Sequence, residues 1–406
     1  MFMNKKISLG SAIILTSFAV LLTFMLTYVN TYNKINQGLA SSGLGDRLTL
    51  KLAELQGIAD AHYIGDIDRQ KVVDALAAGY VAGLGDRYAE YLDAETYAQY
   101  QLANQGKLVG IGVEVTYYES EEFGALIEVS EVYPNSPAEL GGMLSGDRIY
   151  MVEGETVAEL GYFEAIDCVR GEIGTQLNLV ILRGDEAPEE IELVFTRDEV
   201  QTQSVKHRLI GEDVGYIRIK EFNRETPNEF IDAINELEEL GATKYIFDLR
   251  YNPGGDLIGV TQCLDFLLPE GPIIRYTYKD RSEPEIIMSD ADEIVAPMAV
   301  LMNGETASAA ELFCAALQDY EKAVLIGTTT FGKGTMQGIY PLGDHLTAIK
   351  ISNAKYSPPF SDCYDGIGVF PHMEVELSEE LLWEKGFEKL SDEEDAQIQA
   401  ALAALD

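Results

Sequence analysis

A serine at the start of a predicted helix is the residue in this sequence whose position best suits chemistry. Ser308 precedes a stretch, Ala309–Tyr320, whose pattern predicts a helix, and Glu311 follows at the spacing of a capping box. A plain helix cap is therefore one interpretation of Ser308. The same position would also present a hydroxyl beside free backbone N–H groups, where a nucleophile and half of an oxyanion hole could lie.

A nucleophilic serine needs a base, and Lys333 is the candidate. Histidine is the usual base, yet none of the four histidines lies near a predicted helix start or a glycine-rich loop. Lysine can replace histidine if burial lowers its pKa enough to leave it neutral. Apolar and glycine neighbours surround Lys333, with no nearby carboxylate to hold its charge. Gln337 can reach the same face of an extended segment and orient the amine.

Neither a nucleotide site nor a metal site fits the motifs of this sequence. Residues 327–333 nearly complete the phosphate-binding P-loop pattern, but that pattern requires Ser or Thr directly after the lysine, and Gly334 stands there. No HExxH or other zinc-binding spacing occurs. We therefore predict neither a metal nor another cofactor.

The elements that must position these residues alternate from Asp213 onward. The pattern predicts strands over 214–219, 244–249, 299–302 and 323–326, and helices over 228–240, 260–268 and 309–320. This order predicts an α/β domain with a largely parallel sheet, in which sites form beyond the carboxyl ends of strands. The loops at such positions cover 248–255, 306–311 and 330–337.

Residues 106–198 have a different character, with short alternating runs interrupted by glycine and proline. An ordered set of phrases resembles a PDZ domain: Gly110-Ile111-Gly112-Val113, Ser136-Pro137-Ala138 and Gly146-Asp147-Arg148-Ile149. A glycine-rich turn can point N–H groups at a peptide carboxylate, and the strand after it can pair with an extended peptide. We therefore predict that Gly110, Ile111, Gly112 and Val113 bind peptide. The alternative is a small β domain whose glycines only make turns.

The amino terminus predicts a membrane anchor. Lys5 and Lys6 precede an uncharged stretch, Ile7–Val29, which is long enough to span a bilayer as a helix. The basic flank would stay in the cytoplasm, which places the rest of a single-pass cell-membrane protein outside. A cleaved signal peptide is the competing interpretation. The helical pattern from Leu48 to about Ala103 predicts an arm that packs or dimerises.

Composition excludes some partners and leaves others open. The formal net charge of −39 repels phosphate backbones, so we expect no nucleic-acid binding. A homo-oligomer is compatible with the sequence. The cysteines neither demand nor exclude a disulfide; they are Cys168, Cys263, Cys314 and Cys363.

Taken together, the motifs between residues 50 and 375 resemble those of the carboxyl-terminal processing peptidases, or tail-specific proteases. The matching motifs are the PDZ phrases, Asp-Leu-Arg-x-Asn-Pro-Gly-Gly from Asp248, Ser-Ala-Ala-Glu from Ser308 and Phe-Gly-Lys-Gly-x-x-Gln from Phe331. The chain departs from the family pattern at Gly85-Asp86-Arg87-Tyr88, which leaves the contacts of the arm open.

The resemblance implies a role for each matching residue. It implies Ser308 as nucleophile, Lys333 as base and Gln337 as the residue that steadies the base. The implied oxyanion hole consists of backbone N–H groups of Ala309 and of Gly254 or Gly255. The resemblance also implies a crotonase-like α/β fold for the peptidase core.

These inferences predict the following layout: a cytoplasmic flank and transmembrane anchor (1–30), a tether and helical arm (31–105), an inserted, mostly-β PDZ domain (106–198), a Ser–Lys peptidase domain (199–376) and an acidic helical tail (377–406). The expected function is a serine endopeptidase that captures exposed, apolar C-terminal tails of proteins and cleaves through an acyl-enzyme. A non-catalytic PDZ scaffold is the alternative. We expect the tail to be a solvated or dimer-contacting helix.

Overall fold

A computed structural model of the chain describes residues 16–29, 44–184, 187–279 and 281–406. The chain forms two compact units, divided between Val73 and Asp74. The first unit contains α1 (residues 16–29) and α2 (Leu44–His62), and α3 (Arg69–Ala82) includes the boundary.

The predicted membrane anchor lies only partly within the described residues. Residues 7–15 of that segment are outside them, and residues 16–29 form the exposed helix α1. In the described ranges, no helix is both long and apolar enough to cross a membrane.

The helical arm is interrupted, so the prediction of a helical pattern up to Ala103 is only partly right. After α3 the chain forms a short strand, β1 (Glu90–Leu92), followed by α4 (Ala94–Asn104). β1 pairs with a strand far along the chain, through Tyr91 opposite Ile349. Because its hydrogen-bond partners are distant in sequence, nothing in the local pattern indicates this strand.

The predicted PDZ region is mostly β. Its elements are β2 (Lys107–Gly110), β3 (Val113–Ser120), β4 (Gly124–Val132), α5 (Pro137–Leu140), β5 (Arg148–Val152), β6 (Glu155–Thr156), α6 (Val157–Leu160), α7 (Tyr162–Val169), β7 (Gln176–Arg183), β8 (Glu189–Thr196) and β9 (Asp198–Gln201). The antiparallel sheet has the order β3-β4-β5-β7-β8, with β6 beside β5. Strand β3 therefore lies at an edge. β2 pairs with β9 and brings the two ends of the domain together.

The rest of the second unit alternates strands and helices. In chain order these are β10 (Val205–Ile210), β11 (Val214–Ile219), α8 (Thr226–Glu239), β12 (Lys244–Asp248), α9 (Leu257–Asp265), β13 (Gly271–Tyr278), β14 (Glu285–Ser289), β15 (Met298–Met302), α10 (Ala309–Asp319), β16 (Ala323–Gly327), β17 (Thr335–Pro341), β18 (Ala348–Ser357), β19 (Met373–Glu374), α11 (Glu379–Lys385), a 3₁₀ turn (Phe387–Lys389) and α12 (Ala396–Leu405).

The central sheet has the order β10-β11-β12-β15-β16-β19 and is parallel except for β10. Strand β15 is buried along its whole length, as expected for a parallel strand covered on both faces. Helices α8, α9 and α10 cover one face. A second, antiparallel sheet joins β1, β18, β13 and β14, with β17 also paired to β18.

The carboxyl-terminal helix covers the other face of the central sheet, which corrects the prediction of a solvated or dimer-contacting tail. Ile398, Ala401 and Leu405 of α12 are buried in a cluster with Ile246 and Leu301. The Ala-rich sequence hides this role, because small side chains give a weak amphipathic pattern.

Candidate active site

The predicted peptidase residues line one cleft. The loops that follow β12, β15 and β16 meet at the carboxyl ends of these parallel strands, as the alternating pattern predicts. They line a cavity of about 390 Å³. Its lining includes every predicted catalytic and oxyanion-hole residue: Gly254, Gly255, Ser308, Ala309, Lys333 and Gln337.

Ser308 has a backbone conformation that is rare for a residue with a side chain. Its φ is +57° and its ψ is −117°, and it directly precedes α10. Such strained conformations persist only where surrounding contacts hold them, and they cluster at functional sites. Here the Ser308 N–H donates to Glu311 Oε2 at 2.8 Å, and the Tyr364 hydroxyl donates to the Ser308 carbonyl at 3.4 Å.

The environment of Lys333 lowers the pKa of its amine. Burial is the largest cause, and the positive charge of Lys350 acts in the same direction. The carboxylates of Glu311 and Asp86 act in the opposite direction without reversing the shift. The prediction that no carboxylate lies nearby was therefore wrong, because both carboxylates come from other parts of the chain. A lowered pKa is what a lysine base requires.

Lys333 and Ser308 share the cleft without a hydrogen bond. In the part of the chain that the structure describes, none joins Lys333 Nζ to Ser308 Oγ. Lys333 Nζ lies instead 4.7 Å from the centroid of the Tyr88 ring.

Gln337 also has other partners. Its amide donates to the Thr335 carbonyl at 3.1 Å and to Ser352 Oγ at 3.4 Å, on the neighbouring strand β18. Within the described residues it makes no hydrogen bond to Lys333. The structure therefore places Gln337 beside the predicted base but does not join the two.

The backbone around Ser308 offers two free donors. The Gly254 N–H already donates to Asn252 Oδ1 at 2.8 Å. The N–H groups of Gly255 and Ala309 have no acceptor among the described residues. A side chain at Gly254 would clash, since a Cβ there would lie 2.6 Å from the Ala307 carbonyl oxygen. Of the two glycines that the sequence left open, Gly255 has the free donor.

Glu311 has a larger role than the sequence indicated. Its side chain is fully buried. Oε2 accepts the N–H groups of Ser308 and Lys333, each at 2.8 Å. Oε1 accepts the Thr330 hydroxyl and the Gly332 N–H, each at 2.6 Å. One carboxylate therefore joins the Ser308 loop to the Lys333 loop. The sequence held one signal of this role. Glu311 is the single charged residue in the apolar run Ala-Ala-Glu-Leu-Phe-Cys, and a charged side chain is rarely buried unless it has partners.

The predicted peptide-binding residues lie at the edge of the PDZ region. Gly110 ends β2, Ile111 is 1% exposed, and Gly112 has a φ of +81°, which favours glycine. Val113 begins the edge strand β3. The four residues therefore lead into a strand whose outer edge can accept another strand.

Comparison with known proteins identifies the class to which the chain belongs. The pattern of peptidase family S41 matches residues 213–375, and the pattern of the PDZ domain matches residues 128–183. A carboxy-terminal-processing protease of Bartonella bacilliformis is 34% identical over 325 residues, which cover 77% of this chain and 72% of that protein. The carboxy-terminal processing protease CtpA of Bacillus subtilis is 31% identical over 376 residues, which cover 92% and 78% respectively.

The chain therefore belongs to the carboxy-terminal processing proteases of peptidase family S41. It is a serine peptidase that carries a PDZ domain, which confirms the resemblance inferred from the motifs and sets aside the non-catalytic scaffold. A solved S41 protease structure from Bacteroides fragilis has the same fold, with a TM-score of 0.58 at 19% identity, covering 84% of this chain and 92% of that one.

Proposed function

We propose that this peptidase cuts protein substrates near their carboxyl termini, with Ser308 as nucleophile and Lys333 as base. The observation that carries the proposal is the single cleft that contains both side chains and the free N–H groups of Gly255 and Ala309. The strained backbone of Ser308 and the lowered pKa of Lys333 support it independently.

The proposed reaction passes through an ester on Ser308. Neutral Lys333 accepts the hydroxyl proton as Ser308 Oγ attacks the scissile carbonyl, and the developing oxyanion accepts hydrogen bonds from Gly255 and Ala309. The leaving amine takes the proton from Lys333. Water then attacks the ester while Lys333 accepts a proton from it, and the bond to Ser308 Oγ breaks as that oxygen takes the proton back from Lys333. Because the amine lies at the Tyr88 ring, its side chain must rotate toward Ser308 first. We propose that Gln337 steadies the amine after that rotation.

We also propose that the PDZ domain captures the substrate tail. The carboxylate would bind the turn from Gly110 to Val113, and the tail would pair with the free edge of β3. The Tyr117 ring of β3 lies 5.4 Å from the Tyr162 ring of α7, and half-buried apolar side chains of the same two elements, Val115, Ile166 and Val169, pack on the domain core. These apolar side chains favour tails that end in apolar residues.

The cleavage proposal is tested by mass spectrometry of a peptide with an apolar carboxyl terminus, incubated with the chain. We expect cleavage by the wild type and none by Ser308→Ala, which removes only one hydroxyl. Ser282→Ala is the matched control, since Ser282 is exposed between β13 and β14. Cleavage by Ser308→Ala at the wild-type rate would refute the assignment.

The capture proposal is tested by calorimetry on the inactive Ser308→Ala chain. We expect a peptide with a free carboxylate to bind more tightly than the same peptide with an amidated terminus, because amidation removes the charge. Equal affinities would rule out carboxylate recognition.

For localisation, we propose a single-pass membrane anchor at the amino terminus, with the catalytic part outside the cytoplasm. The basic pair Lys5 and Lys6 and the uncharged stretch Ile7–Val29 support this proposal. A protease added outside intact cells should degrade the residues after Val29. Full protection until the cells are lysed would contradict the proposal.

A further inference from the structure

A turn from the arm lies against the predicted base. Asp86 fixes this turn, because its Oδ1 accepts the Tyr88 N–H at 3.0 Å and its Oδ2 accepts the Ser352 N–H at 2.7 Å. Ser352 belongs to β18, and its hydroxyl also donates to Asp86 at 3.1 Å. The turn is therefore bonded to the strand that contacts Gln337.

The ring of Tyr88 contacts two cations. Lys333 Nζ lies 4.7 Å from the ring centroid and Arg87 Cζ lies 4.5 Å from it. These distances are within the range of cation–π attraction, which acts on an ammonium group and vanishes when the amine is neutral. The Tyr88 hydroxyl is buried and makes no hydrogen bond to Lys333. The ring face, and not the hydroxyl, is therefore what Tyr88 offers to Lys333.

Lys333 lies between two cavities. One is the cleft that contains Ser308. The other, of about 320 Å³, is lined by residues 87–90 together with Lys333 and Lys350. Lys333 therefore borders open space both beside the arm and beside the nucleophile.

We propose that Tyr88 is a positioning residue for Lys333: its ring face holds the protonated amine away from Ser308, and the amine leaves the ring when it loses its proton. This inference rests on the proposed function, because it assigns Lys333 as the base. Tyr88 would set how readily the base becomes available without contacting the reacting atoms.

Other charged and titratable groups also face Lys333, and the test must keep them constant. They are Asp86 and Arg87 on the turn, Glu311 on α10, and Lys350 and Tyr356 on β18. All five remain in the sequence when Tyr88 alone is replaced, but Arg87 also contacts the ring, so Tyr88→Phe, which keeps the ring face for both cations, is the reference for the other variants. A change in Lys333 titration would then report the ring.

The test is a titration of Lys333 in the full chain, using lysine labelled with ¹³C at Cε and NMR detection. The Ser308→Ala background makes the titration independent of cleavage, and Lys333→Arg identifies the signal by its loss. We expect Tyr88→Leu to lower the pKa of Lys333 by about 0.5 to 1, from the usual strength of a cation–π contact. Tyr88→Phe keeps the ring face and should leave the pKa where it is.

A second variant separates the charge distribution of the ring from its volume. Pentafluorophenylalanine at position 88 fills similar space but presents a positive face, so the pKa of Lys333 should also fall. An unchanged or raised pKa in both the Tyr88→Leu and the fluorinated proteins would overturn the proposal, as would an equal fall in Tyr88→Phe.

The same variants with Ser308 intact distinguish this proposal from the proposed function. If both hold, the midpoint of the pH–activity profile in Tyr88→Leu moves to lower pH by the amount seen in the titration. A shifted titration with an unmoved activity profile would support the Tyr88 contact and contradict Lys333 as the base.

Discussion

At the scale of single residues, the site depends on a carboxylate that performs no chemistry in the proposed reaction. Glu311 accepts four hydrogen bonds, and its partners belong to both loops that supply the proposed nucleophile and base. Because all four partners are donors, only a group with two accepting oxygens satisfies them. Glu311 therefore fixes the spacing between Ser308 and Lys333.

We predict that Glu311→Gln impairs both stability and cleavage. The amide keeps the shape of the side chain but turns one acceptor into a donor that faces N–H groups. We expect urea unfolding to show a loss of about 2 to 3 kcal/mol, as for buried hydrogen bonds to a charged group. Glu305→Gln is the control, because Glu305 is exposed in the same loop. Unchanged stability and cleavage in Glu311→Gln would show that the carboxylate is not needed.

The catalytic roles of residues could be predicted from the sequence where those residues stand in recognisable local motifs. Ser308 and Lys333 stand in short motifs, and the parallel sheet brings their loops together. Tyr88 could not be assigned to the site, because it lies more than two hundred residues from Lys333 in sequence and only the folded chain brings the two into contact. Glu311 was assigned only a capping role, since three of its four partners lie beyond its own helix start.

At the scale of elements, the carboxyl-terminal helix completes the core. The sheet face formed by Ile246 and Leu301 would be open to water without α12. Its start is held by Arg250, whose guanidinium donates to Asp395 at 2.7 Å and to Gln397 at 3.0 Å. Arg250 lies two residues after the end of β12, so the helix is bonded to the loop that leads from this strand to Gly254 and Gly255.

We predict that Ala401→Glu destabilises the protein strongly while Ala403→Glu does not. Both substitutions place the same good helix former in α12, but Ala401 is fully buried and Ala403 is exposed. Burying an unpaired carboxylate costs several kcal/mol, whereas an exposed substitution changes stability by less than about 0.5 kcal/mol. Thermal unfolding measures both. Equal melting temperatures would mean that α12 does not contribute to the core.

The elements that the sequence predicted are those with a strong local period. Helix α8 and strands β11, β12, β15 and β16 lie within a few residues of their predicted bounds. The second sheet was missed, because its strands pair across long separations, as in β1 with β18. The role of α12 was missed for a related reason: burial of alanine is decided by what packs against it.

At the scale of the whole molecule, ion pairs join the PDZ region to the peptidase core. Lys220, the residue after β11, lies 3.2 Å from Glu131 of β4 and also pairs with Glu114 of β3, both in the PDZ region. Lys206 of β10 pairs with Glu131 as well. Glu114 belongs to the strand whose free edge is proposed to bind the substrate tail. The junction therefore includes a residue of the strand that we propose binds the tail.

We predict that Lys220→Ala loosens the PDZ region from the core. Removal of the lysine leaves Glu114 and Glu131 facing each other without their shared cation, which is unfavourable for half-buried carboxylates. Small-angle X-ray scattering should show a larger radius of gyration. Lys107→Ala is the control, since Lys107 pairs with Glu199 at a more exposed position between β2 and β9. The same radius in Lys220→Ala and wild type would refute the role of this junction.

Acid should loosen the same junction. Burial opposes ionisation of Glu131, but its contacts with Lys206 and Lys220 hold the pKa of that carboxyl below its ordinary 4.5. A lowered carboxyl pKa contributes stability that is complete above the ordinary value and is lost as the pH falls through the lowered one. We expect the radius of gyration to stay constant at neutral pH and to rise only below about pH 4.5.

The central claim is that Lys333 acts as the base for Ser308, and the most direct test is the pH dependence of peptide cleavage by wild type and Lys333→Arg. Wild-type activity should rise with pH to a midpoint below 10.5, as the amine loses its proton. Arginine keeps the charge but cannot deprotonate, so Lys333→Arg should be inactive at every pH. Cleavage by Lys333→Arg at a rate near wild type would contradict the account.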